Sequence, residues 1–166
     1  MDMNVMMGRL MRVLRFDASV YREVAADNNA MGQAAVVVVI AAILSAIGKL
    51  GGCATGVIIA AIVSVVSFAL YSVVATVVAQ SLLKGKTSFQ EMGRTLGYSF
   101  AWYSLGILAL VPAIGWLLAW LGWAVSVIAG IIALRESAEF DSMKALITVV
   151  VATAITIFLQ WIIPGI

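Results

Sequence analysis

The chain has no histidine, one cysteine and two prolines, and only 11% of its residues are charged. The missing histidine removes the commonest general base and, with Cys53 standing alone, excludes a metal site of the Cys/His type. Cys53 cannot close a disulfide within the chain, and no basic neighbour is suited to activating its thiol. No Ser-Lys pair and no paired carboxylates fall inside an apolar run, so the usual groups for nucleophilic or acid–base chemistry are lacking. Glu91, Glu136, Glu139 and Asp141 cluster where helices are expected to start, and there a carboxylate favours the helix dipole. The expectation is a protein that is not an enzyme, with no catalytic residue, no metal and no cofactor.

What is present is apolar. Of 166 residues 64% are hydrophobic, and the mean hydropathy is +1.12, far beyond a water-soluble domain of this length. Residues 28–48, 50–83, 95–134 and 145–166 contain no Asp, Glu, Lys or Arg. A bilayer core takes roughly 20 helical residues, so three of these runs hold one helix each. Residues 95–134 would make a rod of roughly 60 Å, about twice the hydrocarbon thickness. Val111-Pro112-Ala113-Ile114-Gly115 offers a break near its middle. The predicted fold is all-α: a polytopic membrane protein with five transmembrane helices, preceded by a short amphipathic interfacial helix. Residues 1–27 form the cytoplasmic segment and residues 28–166 the bundle, with spans near 30–48, 57–83, 89–111, 116–134 and 143–163.

The formal charge of +2 hides an asymmetry. Nine of the ten basic residues fall in alternate connections, before the first span and after the second and fourth; Lys49 alone lies in the opposite set. The positive-inside rule then predicts a cytoplasmic N-terminus and an external C-terminus; the expected location is a bacterial cytoplasmic (inner) membrane. No cleavable signal peptide is evident, and the first span is expected to act as the membrane signal.

Along residues 2–16, Met3, Met6, Met7, Leu10, Val13 and Leu14 share one side at about 100° per residue, with Arg9, Arg12 and Arg15 opposite. That pattern predicts a helix on the membrane surface whose arginines meet anionic lipid. Asp17 is expected to cap a second short helix. Ser88-Phe89-Gln90-Glu91 has the form of a capping box, so the third span should begin in cytoplasmic water. Gly93 and Gly97, then Gly122, Ser126 and Gly130, recur every four residues. Such small residues let helix backbones approach closely in lipid, and they are the candidate contacts between helices or with a partner. Trp102, Trp116 and Trp161 are candidate interfacial anchors. The hydroxyls of the second span, Ser64, Ser67, Tyr71, Ser72 and Thr76, are expected to bond nearby carbonyls or bridge to a neighbouring helix.

Several of these stretches together carry a family resemblance. Phe16-Asp17-Ala18-Ser19-Val20-Tyr21, Phe89-Gln90-Glu91-Met92, Leu96-Gly97-Tyr98-Ser99, Val111-Pro112-Ala113-Ile114-Gly115-Trp116 and Ala133-Leu134-Arg135-Glu136 resemble, in order and spacing, the Yip1 domain family in its short prokaryotic form. The resemblance implies five membrane helices with the N-terminus in the cytosol. Relatives often place a proline shortly after the Gly-Tyr pair, whereas here Ala101-Trp102 follows Phe100, which predicts a less kinked third helix. Eukaryotic relatives look like adaptors that engage small GTPases in vesicle traffic; prokaryotic ones lack an assigned activity. The functional expectation is a non-enzymatic accessory subunit or scaffold. It would pack laterally against other integral membrane proteins, in a larger respiratory or photosynthetic complex or a homo-oligomer, or organise lipid. The alternative is a facilitator or small channel for a neutral solute. No nucleic-acid partner is expected.

Overall fold

A chain poor in charge and proline has little to interrupt a helix, and a backbone in lipid must satisfy its own N–H and C=O groups. The computed structural model accordingly shows helices and no strand among the residues it describes, 2–50 and 53–162. In chain order these are α1 (Met3–Val13), α2 (Ser19–Ala26), α3 (Ala30–Leu50), α4 (Ala54–Ser81), α5 (Phe89–Ser99), a 3₁₀ helix (Phe100–Leu110), α6 (Gly115–Ala138) and α7 (Ser142–Ile162). By length and composition four of them, α3, α4, α6 and α7, can cross a membrane. The connection between the first two spans is shorter than expected, because α3 runs through Gly48 to Leu50 and α4 already starts at Ala54. The end of α7 expected at Pro164 and Gly165 lies outside the described residues.

The third expected span differs from the expectation of one helix over 89–111. It opens on the capping box, with the Ser88 amide donating to Glu91 Oε2 at 2.7 Å and the Glu91 amide to Ser88 Oγ at 3.2 Å. From Phe100 to Leu110 the winding tightens to 3₁₀, a run far longer than the usual three or four residues. Side chains three apart eclipse in such a helix, and Phe100 and Tyr103 accordingly stack, with ring centroids 4.6 Å apart. Gly106 continues the same row, and there the segment meets α3. A Cβ on Gly48 would lie far inside van der Waals contact with the Gly106 carbonyl oxygen. The tighter winding thus presents one row to the end of α3, the Tyr103 ring to Lys49 and the bare backbone of Gly106 to Gly48.

α3 and the α5–3₁₀ segment run side by side in the same direction, since Gly93 faces Met31, Gly97 faces Ala34 and Gly106 faces Ser45. α6 returns along the other side of the segment, with Gly122 against Leu105 and Trp102 and Gly130 against Leu96 and Ser99. The turn between them holds Ala113 in the left-handed region at φ 67°. α4 sits at the edge, against α3, α5 and α7. α1 and α2 lie at the end where α3 and α5 begin, hereafter the basic end, with α2 against α5 and α6. A buried cluster including Val13, Val20, Tyr21, Met92, Leu96, Ala133 and Leu134 joins these two short helices to the bundle.

Candidate functional site

Two polar groupings stand out. At the basic end Arg9 is 6% exposed. Its guanidinium donates to Glu23 Oε1 at 2.9 Å, Asp27 Oδ2 at 2.8 Å and Gln33 Oε1 at 2.9 Å. Gln33 Oε1 also accepts from the Tyr98 hydroxyl at 2.7 Å, so α1, α3 and α5 meet at one amide oxygen, and α2 joins them through Glu23 on Arg9. Arg12 holds Glu23 at 2.6 Å and Asp17 at 2.9 Å. Arg94, on α5, donates to Asn28 Oδ1 at 2.8 Å and the Ala25 carbonyl at 2.7 Å, and Arg22 reaches Glu136 on α6 at 2.6 Å.

The electrostatics follow from these pairs. Ser19 and Arg12 hold the Asp17 carboxyl down at about 2. Glu23 is lowered by Arg9 and Arg12, and Asp27 by Arg9 and the Asn29 amide. Burial opposes the charge on Arg9, but bonds to Glu23 and Asp27 more than offset it and the net shift is upward. Breaking a buried pair from one side leaves an uncompensated charge, at about 3–5 kcal/mol where burial is complete. This network therefore fastens α1 and α2 to the bundle.

The second grouping is a cleft of about 380 Å³ in the opposite half, bounded by α4, the α5–3₁₀ segment, α6 and α7. Gln160 donates to Ser67 Oγ at 2.8 Å across α7 and α4. Lys49, at its rim, donates to the Tyr103 hydroxyl at 2.8 Å with Nζ 5.2 Å from the ring centre. Ser64, Ser99 and Thr156 each donate to a carbonyl of their own helix, at 2.8 Å in each case. Their oxygen lone pairs remain available as acceptors. The Phe68, Phe100 and Tyr103 rings, with successive centroids 5.1 and 4.6 Å apart, form one wall. Among the described residues no carboxylate lines the cleft.

The expected site residues are distributed as follows. Arg9 and Arg12 turn toward carboxylates of this chain, and of the three arginines only Arg15 is exposed without a pair among the described residues. The outward stripe of α1 is Met3, Met7, Met11 and Leu14, all exposed, whereas Met6 and Val13 pack inward. Gly93, Gly97, Gly122 and Gly130 all face helices within this chain, and Ser126 Oγ donates to the Ser99 carbonyl at 3.4 Å. Ser126 and Gly130 also line the cleft. Trp116 and Trp161 are exposed at the far end, at 71% and 81%. Trp102 is instead half-buried, stacked on Phe16 with centroids 5.1 Å apart. Glu136 lies in the last turn of α6 and not at a helix start, because Arg22 offsets its charge there.

Gln33, Tyr98, Lys49 and Gln160 were missed by reading the sequence. One signal was legible: Ser64, Ser67 and Tyr71 on α4, and Thr153, Thr156 and Gln160 on α7, recur at spacings of three and four, each set marking one polar helix face. That the two faces point at each other is a tertiary fact. Residues 11–163 match the Yip1 domain family. No curated protein and no solved structure matches the chain.

Proposed function

From the premise that this chain belongs to the Yip1 domain family, a multi-pass membrane protein, we propose that it is a non-enzymatic accessory subunit or scaffold of a bacterial inner membrane. Five segments cross, the α5–3₁₀ segment being the third. At about 1.5 Å per α residue and about 2.0 Å per 3₁₀ residue, Phe89–Leu110 reaches roughly 38 Å, enough for a hydrocarbon core of about 30 Å. The N-terminus and the α1–α2 pair then lie in the cytoplasm, as the charge asymmetry favours.

The observation that carries the scaffold reading is the outer face of α4. Ile58, Ile62, Val66, Ala69, Val73 and Val77 form one exposed stripe along nearly the whole helix. β-Branched side chains hold one χ1 rotamer in a helix, so they lose little freedom when another helix packs on them. The favoured occupant is a transmembrane helix of another membrane protein. The small-residue seams are already filled within this chain, which leaves the α4 face as the docking flank.

The channel alternative is less well supported, because the cleft is blind. Below its floor the basic half is filled by buried Ala75, Met92, Ala133, Leu134 and Val149. The test is a photo-crosslinker at Ile62 in native membranes, read by mass spectrometry. Adducts with another membrane protein are expected, and adducts with lipid alone would refute the docking flank. Reporter fusions at the two termini check the odd number of crossings, and solute flux through liposomes carrying the pure protein would favour the channel instead.

A further inference from the structure

The cleft presents a cation and several acceptors that the scaffold reading does not use. Its single charge is the Lys49 ammonium, and among the described residues no carboxylate pairs with it. Tyr103 takes one of its three N–H groups. Ser64, Ser99 and Thr156 have committed their protons to helix carbonyls and present acceptors, while the Gln160 amide adds a donor and an acceptor. A fitting guest therefore carries an anionic oxygen for Lys49 and free hydroxyls for the acceptors. Trp123 on α6 and Ile157 on α7 line the cleft and are exposed, at 45% and 59%. That part of the lining is apolar and faces outward, where bilayer chains lie.

We propose that the cleft seats one anionic glycerophospholipid by its head group, of the phosphatidylglycerol type, from the leaflet opposite α1 and α2. The phosphate sits at Lys49, the head-group glycerol against Ser64, Ser67 and Gln160, and the acyl chains pass out over Trp123 and Ile157. The glycerophosphate chemistry is shared with the free, water-soluble ester. The inference rests on the multi-pass reading, in that lipid must reach the far half of the bundle.

The test uses the full chain in phosphatidylcholine nanodiscs with a minor share of phosphatidylglycerol, released into native mass spectrometry. The wild type should retain one phosphatidylglycerol, and Lys49→Gln should retain about tenfold less, with Lys49→Arg restoring it. Gln160→Leu should weaken retention while leaving Lys49 intact. A second arm adds free glycerol phosphate to protein in pure phosphatidylcholine discs. A rise in Tm lost in Lys49→Gln would identify the soluble ester as the guest; no rise, with lipid retained, identifies the lipid. Equal retention of phosphatidylcholine, retention indifferent to Lys49→Gln with no glycerol phosphate shift, or no binding in either arm would overturn the assignment. None of these readouts depends on whether the α4 face has a partner.

Discussion

At the basic end Arg9 meets two carboxylates and an amide oxygen, drawn from two different helices besides its own. At the far end Lys49 meets one phenol and a cleft with no acid among the described residues. One cation is consumed in closing the protein, and the other, in the last turn of α3, is left facing the cleft. The difference teaches that a charge near a membrane is informative only with its partners. Arg9, Arg12 and Arg15 look alike in sequence, but the first two hold α2 in place, and only Arg15 faces outward unpaired among the described residues.

The comparison can be broken first at the helix contact beside Lys49. Gly48→Ala places a methyl against the backbone carbonyl of Gly106, which cannot rotate away. It should destabilise by about 3 kcal/mol, read as a fall in Tm in nanodiscs together with loss of the far-end cleft. Gly122→Ala, 2.6 Å from the Leu105 Cβ, should cost roughly 1–3 kcal/mol. Gly130→Ala, with its nearest neighbour at 3.8 Å, should be close to neutral; equal effects at the two sites would contradict the packing described for α6.

At the basic end, Arg9→Met should leave Glu23 and Asp27 without their shared partner. The Glu23 side chain is 44% exposed, so solvent softens the loss to about 2 kcal/mol, below that of a fully buried pair. The expected readout is faster proteolysis and hydrogen exchange across α1 and α2, with the α4 and α7 amides unchanged.

Acid should sharpen the same contrast. Asp17, Glu23 and Asp27 all titrate below their ordinary values when folded, so their stabilising contribution is complete above the unfolded values of about 4. It fades as pH falls through the folded values, which for Asp17 is about 2. Release of α1 and α2 between about pH 4 and pH 2 is the expected outcome, followed by exchange at the Tyr21 amide. The far-end cleft has no carboxylate among the described residues, and the fluorescence of Trp116 and Trp161 should not follow that transition. Smallest of all, Arg15→Ala should change stability by less than about 0.5 kcal/mol, because no described group depends on it.

Much of the frame was legible in one dimension. Charge-free runs mark α3, α4, α6 and α7 because lipid excludes unpaired charge. The Ser88–Glu91 box marks the start of α5 through bonds only three residues apart, and Pro112-Ala113 marks the turn before α6. The 3₁₀ winding of Phe100–Leu110 was not legible, since a run of aromatic and small residues suits either helix; contact with α3 at Gly106 selects the tighter one. The cleft was half legible, as two polar helix faces without their relation to each other.

What the sequence alone determined is therefore local: where the charge-free helices and the cap of α5 fall, which lengths suit a bilayer, and that histidine is absent. Those properties depend on neighbours within about four residues or on composition. Only the tertiary structure decided which cations are neutralised and which polar faces converge. Arg9 and Gln33 are 24 residues apart, and Ser67 and Gln160 are 93 apart. No periodicity encodes a hydrogen bond across such distances, because it exists only once the intervening helices have packed.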